Sequence, residues 1–211
     1  MKPEERKAAF DLLGTNDPYF IGNWADHQRQ NHPETKDWHY VNIPETVVKY
    51  KAERDCPSTC VISQLEWARA TVSDHHKSKA ERREALLWWF HLTGDLYQPF
   101  HCFGKQEGGN DIPVYFQRKW TNLHKLWDDG IIKSKHFTLA SMDSAPFNSF
   151  KIPEVTPTFA EAANLSHSRA VEAALPKNAT VYATYVRRWW HVILQCFWEA
   201  ACMSATIGPA I

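Results

Sequence analysis

The sequence predicts a mainly α-helical fold, a compact helical bundle with one short β-hairpin. Apolar residues recur at helical spacing in several stretches, and most of these stretches have their own start or stop signal. By contrast, Asp111 to Trp120 alternates apolar and polar residues, which predicts a short strand or hairpin. A chain of 211 residues can bury one sizeable core, and no stretch separates two candidate cores. We therefore predict a single domain over residues 1–211.

Capping signals place the helices of the N-terminal half. Pro3 in the first turn and Gly14 as the stop delimit the first helix. Ser78 and Glu81 form a capping-box pattern at the start of the fourth. Between the second and third helices, Trp38–Pro44 is predicted to be extended. The predicted helices cover Pro3–Leu13, Gly22–Arg29, Val61–Val72 and Ser78–Tyr97.

The C-terminal half is predicted to contain two long helices. The pattern Thr158-x-x-Glu161 opens the first of them, and the second extends from Asn178 to about Thr206. Three prolines between Ser144 and Pro157 predict a loop. We interpret this stretch as a loop inside one domain rather than a domain boundary, because neither side could form an independent core.

Charge and hydropathy limit the partners of this chain. Lys+Arg and Asp+Glu both number 24, so no net field attracts a polyanion. A nucleic-acid partner would have to be held locally, by metal ions and stacking. The most apolar stretch, near Trp189 to Ala201, contains His191, Gln195 and Glu199, which excludes a membrane span of about 20 apolar residues. The first residues also lack the apolar core of a signal peptide.

The five cysteines include one close pair. Cys56 and Cys60 are separated by three residues, and no Cys-x-x-Cys pattern indicates a thiolate zinc site. We predict a disulfide between them, with two unpaired thiols as the alternative. The odd total leaves at least one thiol free or paired between chains.

Histidines and aspartates are spaced as metal ligands on two predicted helices. His91 and Asp95 are four residues apart, which places them on one helix face about 5–6 Å apart at Cβ. His101 follows just beyond the end of that helix, and His124 and Asp128 repeat the spacing. Zinc accepts imidazole nitrogen and carboxylate oxygen as ligands, so two such helices could hold more than one ion. A single pair of this kind is more often an ordinary hydrogen bond or ion pair within a helix than a set of metal ligands.

Five motifs follow one another in the order of a known family. They are Trp-Ala-Asp26-x-x-Arg29, Trp-His39-Tyr-Val-Asn-Ile-Pro, His91-x-x-Gly-Asp95-x-x-Gln-Pro-x-His101, Gly-Gly-Asn110 and Asn-Leu-His124-x-x-Trp-Asp128. This series resembles the secreted S1/P1-type zinc-dependent nucleases, which share a mostly helical fold with zinc phospholipase C. The resemblance extends from about Leu12 to Ile132 and implies the phospholipase C/nuclease type of helical bundle.

The resemblance implies a zinc centre with two complete sites. By the family pattern, seven side chains would hold two ions: Asp26, His39, His91 and Asp95 the first, and His101, His124 and Asp128 the second. In the family, an N-terminal Trp and a nearby His hold a third ion together with the residue at the position of Asp95. The first histidine of this chain is His27, so the third site is expected to be incomplete and activity to be weak. Either an upstream segment with the first helix and a signal peptide is missing, or the protein is complete with two zinc sites.

The family pattern also assigns roles in substrate binding and catalysis. Arg29 would neutralise charge at the scissile phosphate, and Asp26 would orient the attacking water. Tyr40 would stack on a base, with a core aromatic as the alternative reading. Asn42 and Asn110 would form hydrogen bonds with the base edge. The family often has Asp at the position of Asn42, so base preference could differ.

The implied function is a zinc-dependent endonuclease that hydrolyses single-stranded RNA and DNA to 5′-nucleotides, with 3′-nucleotidase activity as an additional reaction. Its partner would be single-stranded nucleic acid, and its location would be the secretory pathway. The sequons at Asn164 and Asn178 fit that route, although such tripeptides are common by chance. Two alternatives remain, namely a phosphodiesterase like zinc phospholipase C and a non-catalytic or weakly active zinc-binding relative. The sequence leaves oligomeric state and base preference open.

Overall fold

The computed structural model describes residues 1–143, 147 and 149–211. Its helices are α1 (Pro3–Leu13), α2 (Pro18–Asn31), α3 (Ala52–Asp55), α4 (Val61–Ser73), α5 (Lys79–Tyr97), α6 (Leu123–Lys125), α7 (Ile131–Ser134), α8 (Phe159–Ala173) and α9 (Ala183–Ala205). Short 3₁₀ helices cover Pro33–His39, Pro99–Cys102, Leu139–Asp143 and Gly208–Ala210, and one π-helical turn covers Leu126–Gly130. The predicted mainly α-helical fold is confirmed.

Helix α5 lies at the centre of the bundle, in contact with α1, α2, α4, α8 and α9. Its side chains Trp88, Trp89 and Leu92 are fully buried in the larger of two apolar clusters. A helix that is apolar on most of its faces must be covered on most sides, which explains its central place. The Ser78–Glu81 capping box fixes its start, with the Glu81 amide donating to Ser78 Oγ at 3.2 Å.

A three-stranded sheet packs beside this bundle, with β1 (Pro113–Phe116) between β2 (Lys119–Asn122) and β3 (Ala179–Thr180). Strands β1 and β2 form the predicted hairpin, with Phe116 opposite Lys119. The intervening turn residues, Gln117 and Arg118, both have positive φ, as a two-residue type I′ turn requires.

Strand β3 corrects one prediction. The last helix does not begin at Asn178, because Ala179 and Thr180 pair in parallel with β1 and the helix begins at Ala183. Asn178 itself has a φ of 66°, which no helix tolerates. This pairing joins residues far apart in sequence, so helical periodicity alone could not reveal it.

Two further predictions need correction, both at motifs that contain predicted metal ligands. Trp38 and His39 belong to a 3₁₀ helix that begins with Pro33, so only the residues from Tyr40 onward fit the extended prediction. His124 and Asp128 are not on a regular α-helix, because the chain changes from α6 to a π-helical turn at Leu126. Such turns often occur at functional sites.

The remaining structural predictions can be scored directly. Cys56 and Cys60 form the predicted disulfide, and the three other cysteines are free thiols. Residues 151–157 lack regular structure, as predicted for the loop, whereas residues 144–146 and 148 of that loop lie outside the described residues. Among the described helices, none combines the length and apolar character needed to cross a bilayer.

Candidate metal centre

The C-terminal end of α5 brings four predicted ligands together. Asp95 Oδ2 lies 2.9 Å from His39 Nδ1 and 3.2 Å from His91 Nε2, and these two nitrogens are 3.1 Å apart. Asp26 Oδ1, contributed by α2, is 3.8 Å from His91 Nε2. We call Asp26, His39, His91 and Asp95 the first ligand group.

A second ligand group consists of His101, His124 and Asp128. His101 Nε2 is 3.6 Å from Asp128 Oδ1, and His124 Nε2 is 3.5 Å from Asp128 Oδ2. The two imidazole rings face each other with centroids 4.8 Å apart. The side chain of Asn122 accepts a hydrogen bond from the Lys125 amide at 2.7 Å and thereby starts the short helix that presents His124.

Asp95 joins the two groups. While its Oδ2 faces the first group, its Oδ1 lies 3.5 Å from His101 Nδ1. A cleft of about 550 Å³ opens beside both groups and is lined by His91, Asp95, His101 and Asp128 together with apolar side chains of α5 and α9. Four of the seven predicted ligands line this cleft. Asp26, His39 and His124 adjoin it through their contacts with His91, Asp95 and Asp128.

Hydrogen bonds on the far side of three imidazoles orient them for metal binding. His91 Nδ1 donates to the Gly22 carbonyl, His101 Nδ1 to the His39 carbonyl and His124 Nδ1 to the Gly108 carbonyl, each at 2.8 Å. The Nε2 atom of each neutral ring then has a lone pair directed at the carboxylates. This arrangement of backbone acceptors behind ligand histidines is typical of metal sites.

His39 presents the opposite nitrogen to the centre. Its side chain is 3% exposed, and its Nε2 atom has no hydrogen-bond partner within the described residues. Leaving a buried polar atom unpaired costs about 1–3 kcal/mol. The unpaired Nε2 atom is not the one that faces the centre. The case for His39 as a ligand therefore rests on Nδ1, which lies 2.9 Å from Asp95 Oδ2 and 3.1 Å from His91 Nε2.

The separations within the first group agree with zinc. Bonds of about 2.0–2.1 Å in tetrahedral geometry place neighbouring ligand atoms about 3.3 Å apart. The ligand atoms of His39, His91 and Asp95 are 2.9 to 3.2 Å apart. Oδ1 of the more exposed Asp26 lies 3.8 Å from His91 Nε2. Nitrogen and oxygen donors without thiolate are also a set that zinc accepts. The residues present fit this metal.

Sequence comparisons with known proteins identify a family for this chain. The family model of the S1/P1 nucleases matches residues 1–203. This chain belongs to the S1/P1 nuclease family. Nuclease P1 of Penicillium citrinum is 33% identical over 139 residues, which are 61% of this chain and 51% of that protein.

Other relatives of the S1/P1 nuclease family match shorter portions. Endonuclease 4 of Arabidopsis thaliana is 36% identical over 112 residues, covering 47% of this chain and 38% of that protein. Nuclease S1 of Aspergillus oryzae is 30% identical over 129 residues, covering 56% and 44%, respectively. The chain thus spans about half the length, or less, of the curated relatives it matches.

The carboxylates control proton binding in the metal-free centre. Although burial lowers the pKa of His91, the Asp95 carboxylate outweighs it and raises that pKa to about 9. His101 shows the same balance, with Asp95 and Asp128 raising its pKa to about 9. Burial and the charge of His101 lower the pKa of His124. The pKa of Asp95 is well below its usual range because the charges of His91 and His101 outweigh its burial.

These shifts predict that zinc stabilises the protein more as the pH rises. A histidine whose pKa is raised to about 9 on folding stabilises the metal-free protein fully below about pH 6.5 and loses that effect as the pH rises through 9. Zinc requires the deprotonated rings, so its affinity increases over the same range. Thermal unfolding with and without zinc should show a Tm difference that grows from about pH 6.5 to 8.5. A difference that is constant or shrinks over this range contradicts the prediction.

Gln98 is a site residue that the sequence reasoning missed. Its Nε2 donates to Asp128 Oδ1 at 2.5 Å, while its Oε1 accepts from the Phe100 amide at 2.5 Å. One side chain therefore fixes both Asp128 and the turn that contains His101. The Gln-Pro pair was visible just after the helix end, but its contact with Asp128, 30 residues later, depends on tertiary structure.

The Gly-Gly-Asn turn is required by the position of His124. Gly108 has a φ of 63°, and a Cβ there would lie 2.7 Å from the Phe100 carbonyl oxygen and 3.2 Å from His124 Nδ1. Gly109 has a φ of 84°, so both glycines adopt a backbone conformation that glycine tolerates and most other residues do not. Asn110 does not share that conformation, and its side chain donates to the Glu107 carbonyl at 2.9 Å.

Gly108→Ala is expected to weaken zinc binding by the second group and to destabilise the fold by about 1–3 kcal/mol, because the backbone is strained and His124 is displaced. Gly22→Ala is the matched control. It lies in α2 with nothing within 4 Å of the new Cβ, and it should stabilise the helix by about 0.5–1 kcal/mol. Chemical denaturation and zinc titration of both variants measure these effects. Equal behaviour of the two variants contradicts the role of Gly108.

The residues predicted to contact substrate are all at least partly exposed. Arg29 is 41% exposed at its side chain, with Nη1 3.5 Å from Asp26 Oδ1. Tyr40 is half-buried, and its hydroxyl donates a short hydrogen bond to Asp37. Asn42 and Asn110 are both exposed.

Proposed function

We propose that this chain is a zinc-dependent endonuclease that hydrolyses phosphodiester bonds of single-stranded RNA and DNA to 5′-nucleotides, with 3′-nucleotidase activity at the same centre. One observation supports this most strongly. Seven nitrogen and oxygen donors, predicted from separate motifs, form two neighbouring ligand groups in a member of the S1/P1 nuclease family, with Asp95 of the first group 3.5 Å from His101 of the second. The relatives that match this chain include a nuclease and an endonuclease.

The two ligand groups would each hold a zinc ion, the first through Asp26, His39, His91 and Asp95 and the second through His101, His124 and Asp128. When bound, zinc stabilises negative charge on a phosphoryl oxygen and makes water more acidic. Three of the ligand histidines, His91, His101 and His124, are held in place before the metal arrives, because their Nδ1 atoms are already bonded to backbone carbonyls. This preorganisation favours a centre over a surface site that binds metal by chance.

Asp26 and Arg29 would act on the reacting atoms. The Asp26 side chain is 50% exposed, far more than the 13% of Asp95, so one of its oxygens is accessible to a water molecule. We propose that this carboxylate orients the attacking water and accepts its proton. The Arg29 guanidinium, next to it on α2, would neutralise charge that builds up on the phosphate.

Tyr40, Asn42 and Asn110 would bind a base. Burial and the neighbouring Asp37 raise the pKa of Tyr40 to about 12, so its ring is uncharged at physiological pH. The bond to Asp37 also fixes the ring, which reduces the entropy lost when a base stacks on it. A stacked base contributes roughly 1–3 kcal/mol and must leave a duplex to reach the ring, which favours single strands.

The cellular setting of the protein is part of the proposal. A disulfide such as Cys56–Cys60 is typical of an oxidising compartment, so we propose the secretory route. Of the two sequons, Asn178 is exposed in a turn, whereas Ser166 of the other is buried with its hydroxyl donating to the Leu96 carbonyl. If the protein is glycosylated, Asn178 is the expected site. Residues 1–211 are proposed to act as a single domain.

The direct test is cleavage of a single-stranded oligonucleotide by the zinc-loaded protein, with and without a chelator. We expect 5′-nucleotide products that disappear with chelator and return with added zinc. Asp128→Asn should abolish most of this activity, and Asp129→Asn is the matched control because Asp129 forms an ion pair with Lys133 outside the centre. Zinc binding without cleavage would indicate the non-catalytic relative. Release of diglyceride from phosphatidylcholine would indicate the phospholipase alternative.

A further inference from the structure

His167 is a buried histidine of α8 that the proposed reaction does not use. Only 2% of its surface is exposed. Its Nδ1 atom lies 2.9 Å from the carbonyl oxygen of Cys102, and its Nε2 atom lies 3.0 Å from that of Val47. Both ring nitrogens therefore face hydrogen-bond acceptors that have no proton to offer.

A neutral imidazole cannot satisfy this arrangement. It has one N–H and one lone pair, so one of the two buried carbonyls would face a lone pair. An imidazolium has two N–H donors and satisfies both. A buried charge needs a counter-charge nearby. Asp55 is a fully buried carboxylate whose charge interacts with that of His167.

The surroundings of His167 contain other ionisable groups. Arg54 forms an ion pair with Asp55 at 2.6 Å, and the pKa of Asp55 is lowered mainly by hydrogen bonds from Arg54 and the Lys51 amide, despite its burial. The Cys102 thiol stays neutral because burial raises its pKa. Burial also raises the pKa of Tyr50, whose backbone amide donates to Asn164 on α8. Among these groups, Asp55 is the carboxylate whose charge acts on His167, and Asp55 shares that charge with Arg54.

The two carbonyls belong to functional segments of the chain. Cys102 directly follows His101, a member of the second ligand group, and Val47 ends the segment 40–47 that begins with Tyr40 and contains Asn42. Two backbone hydrogen bonds already join these segments. The Val41 amide donates to the His101 carbonyl at 2.8 Å, and the Gly104 amide donates to the Ile43 carbonyl at 2.8 Å. His167 adds two hydrogen bonds to this contact from the interior of the protein.

We propose that His167 holds both ring protons in the folded protein and is a positioning residue that fixes segment 40–47 against the turn containing His101. It touches neither substrate nor metal and acts through Cys102 and Val47. This inference rests on the proposed function for its consequences in substrate binding. Its protonation and its effect on zinc binding can be measured without any turnover.

The first test is nitrogen-15 NMR of the histidine rings in the zinc-loaded, full-length chain near pH 7. We expect His167, assigned by its absence in His167→Asn, to show two protonated ring nitrogens whose N–H protons exchange slowly. A single protonated nitrogen overturns the proposal. This result does not depend on nuclease activity, and the variant is needed only to assign the signals.

The second test uses two neutral substitutions that each keep one hydrogen bond. Asn places an amide N–H near the position of Nδ1 and retains the bond to Cys102, whereas Gln places it near Nε2 and retains the bond to Val47. His167→Asn should raise KM for a single-stranded oligonucleotide roughly threefold to tenfold with zinc affinity unchanged. His167→Gln should weaken zinc binding by the second group about tenfold.

His75→Gln, at an exposed histidine between α4 and α5, is the control and should change neither quantity. Equal effects of the two His167 variants on KM and zinc affinity, or no effect on either, overturn the positioning role even if both ring protons are found. If the wild-type chain binds zinc but cleaves no substrate, the proposed function fails. The NMR result and the zinc affinity of His167→Gln then still decide the inference.

Discussion

Asp95→Asn is expected to weaken zinc binding at both ligand groups by at least about 100-fold and to abolish most nuclease turnover. Removal of a residue that only orients a metal ligand typically weakens metal binding about 10-fold to 100-fold. Asp95 is itself a proposed ligand, so we expect a loss at or above the upper end of that range. Its carboxylate contacts His39 and His91 through one oxygen and approaches His101 through the other. Isothermal titration with zinc and the oligonucleotide assay measure the two effects.

The same substitution should also change the metal-free protein. Without the Asp95 charge, burial dominates at His91 and His101, so their pKa values should fall below about 9. Asp11→Asn, which removes an exposed ion pair with Lys7 on α1, is the control for a lost aspartate charge. If Asp95→Asn affected one ligand group only, two independent sites would replace the shared centre.

Asp26→Asn is expected to lower nuclease turnover by about 10²–10⁴-fold while the second ligand group still binds zinc normally. The reason is that Asp26 is the outermost donor of the first group and the carboxylate proposed to accept a proton from water. His39, His91 and Asp95 remain to hold the ion, so zinc affinity should fall much less than turnover does.

Measurement of kcat together with zinc stoichiometry separates these contributions of Asp26. Gln30→Ala, an exposed substitution on the same helix, should change neither quantity. Loss of zinc from the first group in proportion to the loss of kcat would mean that Asp26 serves only as a ligand. Unchanged kcat would remove it from the mechanism.

Local signals explain why most helices could be predicted. The first helix runs from Pro3 to Leu13 as the proline and glycine signals indicate, and the capping boxes at Ser78 and Thr158 mark the true starts of α5 and α8. These signals act within four residues, so the sequence contains the whole interaction. Strand β3 was missed because its partner strand lies more than 60 residues earlier.

The candidate centre likewise has features that local sequence predicts and features that depend on tertiary contacts. The spacing of His91 and Asp95 on one helix fixes their relative position, so local reasoning sufficed for that pair. The π-helical turn at Leu126 was unexpected, since nothing in the local spacing distinguishes it from an α-helix. Contacts made by backbone carbonyls, such as Gly22 with His91, leave no signal in the side-chain sequence. The role of Gln98 likewise depends on a partner brought near by folding.

Anomalous diffraction at the zinc absorption edge, from crystals of the zinc-loaded protein, tests the shared two-ion centre most directly. We expect one anomalous peak among Asp26, His39, His91 and Asp95, and a second among His101, His124 and Asp128. A protein that binds zinc elsewhere, or shows no peak among these seven side chains, would contradict the account.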